Sequence, residues 1–130
     1  MKYTVLGAAK SGLAAALLAH RLGHTVFVSE YKPEEAYPDA ATQLRNAHIP
    51  VEFGGHTERA LDCDCIITSP GIKPTVQIIQ DAEAKEIPII SELEFASQHC
   101  KNPIIAITGT NGKTTTTALI THVFNHSGRK

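Results

Sequence analysis

The feature that most constrains this chain is an alternation. Short runs of β-branched and other apolar residues are each followed by a longer stretch with helical spacing, and Gly, Pro or Asp marks the joins. Residues 3–6, 25–29, 51–53, 65–69, 87–90 and 104–108 read as strands, and residues 11–22, 39–47, 75–85, 91–99 and 113–125 as helices. Several of the strands are almost wholly apolar, as strands covered on both faces must be. A helix between successive strands returns the chain by a right-handed crossover, which makes the sheet parallel. The expected fold is therefore α/β, a Rossmann-like parallel sheet flanked by helices, with one further βα unit at residues 104–125.

Helix ends are legible from side-chain chemistry. Ser91 followed by Glu94 has capping-box spacing and should open the fourth helix. Gly23 and Gly128 stand where left-handed caps would close the first and last helices. Between Tyr31 and Pro38, two prolines flank Glu34 and Glu35, which predicts a loop over the carboxyl edge of the second strand.

Charge narrows the classes of partner. With 12 basic and 13 acidic side chains the net charge is −1, so no basic field is available to condense on nucleic acid, and any anion must be held by local geometry. No apolar stretch approaches the length of a membrane span, and the start of the chain lacks the layout of a signal peptide. Cys63, Cys65 and Cys100 form an odd set, as expected in a reducing compartment, so a cytoplasmic location is expected.

Three loops at the carboxyl ends of predicted strands carry chemistry. The sharpest is Gly109, Thr110, Asn111, Gly112, Lys113, Thr114, between a predicted strand and a predicted helix. Its glycines let the backbone approach phosphate oxygens, the helix N-terminus and Lys113 supply positive potential, and Thr114 offers a hydroxyl to Mg²⁺. It is shorter than the common GxxxxGK[ST] loop, because Ile107 stands where that pattern has its first glycine.

The second loop, Gly7, Ala8, Ala9, Lys10, Ser11, Gly12, is a GxAxxG relative of the dinucleotide fingerprint. Glu30 lies at the end of the next strand, where such proteins place a ribose-binding acid. An NAD-binding regulatory or redox module is therefore an alternative reading. The third loop is Ser69, Pro70, Gly71, a sharp turn at the same sheet edge. His122 and His126 lie four apart on a helix without a third metal ligand, and Cys63 and Cys65 lack a second cysteine pair.

Taken in order, GAAKSG at 7–12, SEYK at 29–32, TSPGI at 68–72, PIISELEFA at 88–96 and ITGTNGKTTTT at 107–117 resemble the Mur ligase family, and the GTNGKT and SELE segments look most like its D-glutamate-adding branch. The resemblance implies a cytoplasmic, three-domain enzyme of peptidoglycan synthesis. Its reaction would be ATP- and Mg²⁺-dependent amide formation through an acyl phosphate, joining D-glutamate to UDP-N-acetylmuramoyl-L-alanine.

On that likeness, residues 1–93 form the UDP-substrate domain, and residues 94–130 form a linker and the opening of the central ATP-binding domain. Gly7, Lys10, Ser11 and Gly12 match the diphosphate loop, Glu30, Tyr31 and Lys32 the surroundings of the uridine, and Ser69 and Gly71 the turn beside the substrate. Gly109, Thr110, Asn111, Gly112, Lys113, Thr114 and Thr115 match the ATP phosphate loop, with Lys113 catalytic and Thr114 on the magnesium. The chain would need the remainder of its own enzyme to act, would be inactive alone, and would hold no cofactor tightly.

Overall fold

The computed structural model describes residues 1–69 and 71–128, so Pro70 of the third loop lies outside the described residues. The chain divides into two compact units, Met1–His99 and Cys100–Lys130.

The first unit carries β1 (Lys2–Leu6), α1 (Lys10–Arg21), β2 (Thr25–Glu30), α2 (Pro38–Asn46), β3 (Val51–Phe53), β4 (Cys65–Thr68), α3 (Gln77–Ala84), β5 (Ile89–Ser91) and α4 (Glu92–Gln98). The strands form one sheet in the order β3-β2-β1-β4-β5, parallel at every pairing. In register, Val5 stands between Val28 and Ile67, and Leu6 between Ser29 and Thr68.

Alternation along β1 divides the core. Tyr3 and Val5 pack with Val28, Ile67, the α1 alanines Ala15, Ala16 and Ala19, and Phe95 of α4. Leu6 joins Phe27, Ile66 and the α3 residues Ile78 and Ile79 on the opposite face. Small side chains on α1 let its axis approach the sheet closely, and fully buried Phe95 ties α4 into this unit. The helix ends follow the sequence: Ser91 Oγ accepts from the Glu94 amide at 3.0 Å, and Gly23 takes a φ of 83°. Pro38 opens α2, where a missing N–H costs nothing. Two single-turn 3₁₀ helices, Glu34–Ala36 and Glu58–Leu61, were not foreseen in the sequence.

One buried group is a liability. Thr4, central in the sheet and fully buried, has a hydroxyl with no partner among the described residues. Thr4→Val exchanges that hydroxyl for a methyl of the same shape and is expected to stabilise the chain by about 1 kcal/mol. Urea denaturation checks this, and an unchanged or lowered midpoint would mean that a hidden partner satisfies Thr4.

In the second unit, α5 (Lys113–His126) forms as expected and has no buried residue. Gly128 closes it with a φ of 70°. The strand expected over residues 104–108 does not form. Ile104 and Ile105 are 59% and 58% exposed, and a β-strand exists only by pairing with a neighbour, which these residues lack among the described residues.

Candidate functional site

The order β3-β2-β1-β4-β5 places successive crossovers on opposite sides of β1, so the chain parts between β1 and β4 at their carboxyl ends. Open α/β sheets form their ligand crevice at such a point. Here it is a cleft of about 670 Å³, lined by Gly7 and Ala9 after β1, Glu30, Tyr31, Lys32 and Tyr37 at and after β2, His56 after β3, and Ser69, Gly71, Ile72, Lys73 and Val76 after β4.

The loop after β1 is built on two glycines. Gly7 turns the chain with a φ of 99°. Gly12, buried in the first turn of α1, lets the helix sit directly on that turn, because a Cβ there would lie 2.2 Å from the Gly7 carbonyl oxygen. The amides of Gly7 and Ala8 are spent internally, on the Ser29 carbonyl at 2.9 Å and on Glu30 Oε2 at 2.7 Å. The first turn of α1 has neither a side-chain cap nor an acidic residue. Its amides have no intrahelical acceptor and, with the helix dipole, present positive potential beside the cleft. Lys10 and Ser11 stand exposed on that turn, next to the lining rather than in it.

Glu30 lies where the sequence suggested a nucleoside-binding acid, but its side chain braces the protein. It is 6% exposed, and while Oε2 takes the Ala8 amide, Oε1 takes the Lys32 amide at 2.8 Å. One carboxylate thus holds the loop after β1 to the loop after β2. Tyr31 projects into solvent at the cleft, and the Lys32 ammonium lies 5.6 Å from the centre of the Tyr37 ring. On the β4 side the Ile72 amide closes the turn on the Ser69 carbonyl at 3.0 Å. Lys73 brings a second cation to the lining. Glu92 is buried beside Gly12 with Oε1 unpartnered among the described residues.

Of the residues singled out in the sequence, Gly7, Glu30, Tyr31, Lys32, Ser69 and Gly71 meet at this cleft, and Lys10, Ser11 and Gly12 border it. Sequence reasoning missed Tyr37, His56 and Lys73. His56 carried one usable signal, its position in a Gly-Gly-His turn just past β3.

In the second unit, Gly112 takes a left-handed φ of 77° immediately before α5, and the first turn of that helix again has no cap and no acid. Lys113 Nζ donates to the Gly109 carbonyl across this turn. Thr110, Asn111, Thr114 and Thr115 are all exposed. Free amides, a lysine and hydroxyls are a donor set suited to a phosphate with its magnesium, although a phosphate would have to draw Lys113 off its own loop.

Comparison with known proteins bears on the whole chain. The family model of the MurD N-terminal domain matches residues 3–78. The chain is 46% identical over 129 residues to the UDP-N-acetylmuramoylalanine--D-glutamate ligase of Chlorobium chlorochromatii, covering 99% of this chain and 27% of that relative. It is 49% identical over 122 residues to the ligase of the same name from Salinibacter ruber, covering 93% and 26%. Among solved structures it is similar to a murein peptide ligase from Psychrobacter arcticus, with TM-score 0.71, 29% identity and 98% and 27% of the two chains covered. It is also similar to UDP-N-acetylmuramate-alanine ligase from Thermotoga maritima, with TM-score 0.65, 31% identity and 97% and 29% covered. The chain thus spans about a quarter of the length of the curated relatives it matches.

Proposed function

The chain belongs to the MurD N-terminal domain family, and from that premise we propose that it is the nucleotide-binding part of an ATP-dependent ligase that joins D-glutamate to UDP-N-acetylmuramoyl-L-alanine in peptidoglycan synthesis. The observation that carries this reading is the first turn of α1, uncapped and with no acidic residue of its own, beside a cleft at the β1/β4 parting. Free amides at the positive end of a helix dipole suit such a turn to a phosphate, which supports this reading. In this reading the diphosphate lies along the amides near Lys10 and Ser11, the nucleoside extends past Tyr31 and Lys32, and the sugar side faces Ser69, Gly71 and Lys73. The compartment assigned is the cytoplasm; the described residues contain no helix long and apolar enough to cross a membrane.

ATP and magnesium belong to the same proposal through the second unit. Residues 109–115 would hold the phosphates, with Lys113 and the Thr114 hydroxyl nearest the charge. Bound there, the nucleotide and its metal supply a phosphoryl group activated for transfer to the substrate carboxylate. The contribution of the chain is to orient that group and neutralise its charge through Lys113 and the helix amides.

The NAD reading is weakened at two places. Ala9 brings a methyl to the cleft where the dinucleotide fingerprint requires glycine, and Glu30 has committed both carboxylate oxygens to backbone amides instead of a ribose.

A heteronuclear NMR titration following Lys10, Ser11, Glu30 and Gly71 separates these readings. Amide shifts are expected with UDP-N-acetylmuramoyl-L-alanine and none with NADH, with no amide product formed by this chain alone in the presence of Mg·ATP and D-glutamate. Shifts with NADH alone would overturn the proposal.

A further inference from the structure

One polar cluster at the cleft has no part in the loops described so far. The fully buried Ser29 hydroxyl donates to Glu52 Oε1 at 2.6 Å and lies 2.7 Å from His56 Nδ1. Glu52 is otherwise occupied by Thr57, whose amide reaches Oε1 at 3.0 Å and whose hydroxyl reaches Oε2 at 2.6 Å. Burial alone would push the Glu52 carboxyl up, but the hydrogen bonds from Ser29 and Thr57 outweigh it and hold it below the usual carboxylate range. Glu52 is therefore ionised at neutral pH and can only accept.

Proton counting then fixes the imidazole. The one hydroxyl proton of Ser29 goes to Glu52, so the contact with His56 requires a proton on Nδ1. Burial pushes His56 down, more than the nearby Glu52 and Glu30 charges raise it, so the ring is neutral near pH 7. A neutral ring protonated at Nδ1 carries its lone pair on Nε2. His56 lines the cleft, and its ring centre is 6.1 Å from that of the exposed Tyr31.

Resting on the nucleotide reading above, we propose that His56 selects the base: Nε2 accepts the ring N–H of uracil, with the Tyr31 ring as a flanking surface. Cytosine presents a lone pair at the equivalent ring nitrogen and would meet that of Nε2. The Ser29–Glu52 pair is the positioning element that holds the imidazole in the accepting tautomer.

The test is calorimetric titration of the chain with UDP and with CDP. Wild type is expected to prefer UDP by about tenfold, the scale of one hydrogen bond at a partly exposed site. His56→Phe keeps a ring of similar size, and its preference is expected to fall to about one by loss of UDP affinity. Because that variant could fail to fold, the imidazole ¹⁵N spectrum of the wild type gives a second reading. The unprotonated Nε2 resonance should move upfield with UDP and stay in place with CDP. Equal affinity for UDP and CDP, an unchanged preference in His56→Phe, or an unmoved Nε2 resonance at saturating UDP would overturn the role of His56 and leave the nucleotide site standing. Failure of the wild type to bind UDP at all would overturn the nucleotide site itself.

Discussion

Gly12→Ala is expected to destabilise the chain by about 3 kcal/mol, and helix propensity argues the opposite sign. Alanine inside a helix is favoured over glycine by about 1 kcal/mol. Here the new methyl would stand 2.2 Å from the Gly7 carbonyl oxygen and 3.3 Å from Glu92 Oε1. The first of these is backbone in a tight turn and cannot swing away. The first turn of α1 must therefore lift off the loop after β1, at an overpacking cost of about 1–3 kcal/mol or more. The same displacement pulls the α1 amides out of register with the cleft, so UDP affinity should fall with stability. Gly54→Ala is the comparison, because there the backbone alone resists a side chain: its φ is 84°, and a methyl meets nothing within 4 Å. It is expected to lose only about 1 kcal/mol and to leave UDP affinity unchanged. Thermal melts of the two variants decide the matter: a loss in Gly12→Ala no larger than that in Gly54→Ala would show that the turn after β1 yields to the methyl and that the contact with Gly7 does not make glycine necessary.

The second large effect is expected at Glu30. Glu30→Ala leaves the Ala8 amide buried without an acceptor and removes two short charged hydrogen bonds, of 2.7 and 2.8 Å. Bonds of this kind contribute about 1.5–3 kcal/mol each, with part of that recovered where water reaches the Lys32 amide, so a loss of about 3 kcal/mol is expected. Glu30→Gln should recover only part, because its amide nitrogen must face one of two N–H donors. Hydrogen exchange at Ala8 provides the specific readout and should accelerate in both variants. If Glu30→Gln abolished UDP binding with stability and Ala8 protection intact, the carboxylate would be a ligand contact after all and not a brace.

Glu30 also shows where sequence reading stops. An acid at the end of β2 was legible, but its residue type and position are the same whether the carboxylate faces a ribose or its own loops. Only the distances to Ala8 and Lys32 decide between them. The backbone of the site was readable for the converse reason: Gly7 and Gly12 are required by turn geometry and close approach, and such demands show in residue identity. β1 and β2 were plain because both their faces are covered. The turns Glu34–Ala36 and Glu58–Leu61 were not, since a single turn has no period to detect. Residues 104–108 looked as apolar as β4 yet remain unpaired, because composition expresses the capacity to be a strand and says nothing of a neighbour. His56 escaped notice because its significance lies in Ser29 and Glu52, 27 and 4 residues away along the chain.

The strand order has a further consequence, for synthesis on the ribosome. β1 is central and emerges before the other four; β2 finds β1 already made, β3 finds β2, β4 finds β1, and β5 finds β4. The sheet can grow outward in the order of translation, each strand docking on an existing edge. The longest wait falls on the second edge of β1, which stays open until Cys65 arrives to pair with Tyr3. During that interval an apolar strand edge is available to other nascent chains, and the interval lengthens wherever translation slows between β3 and β4.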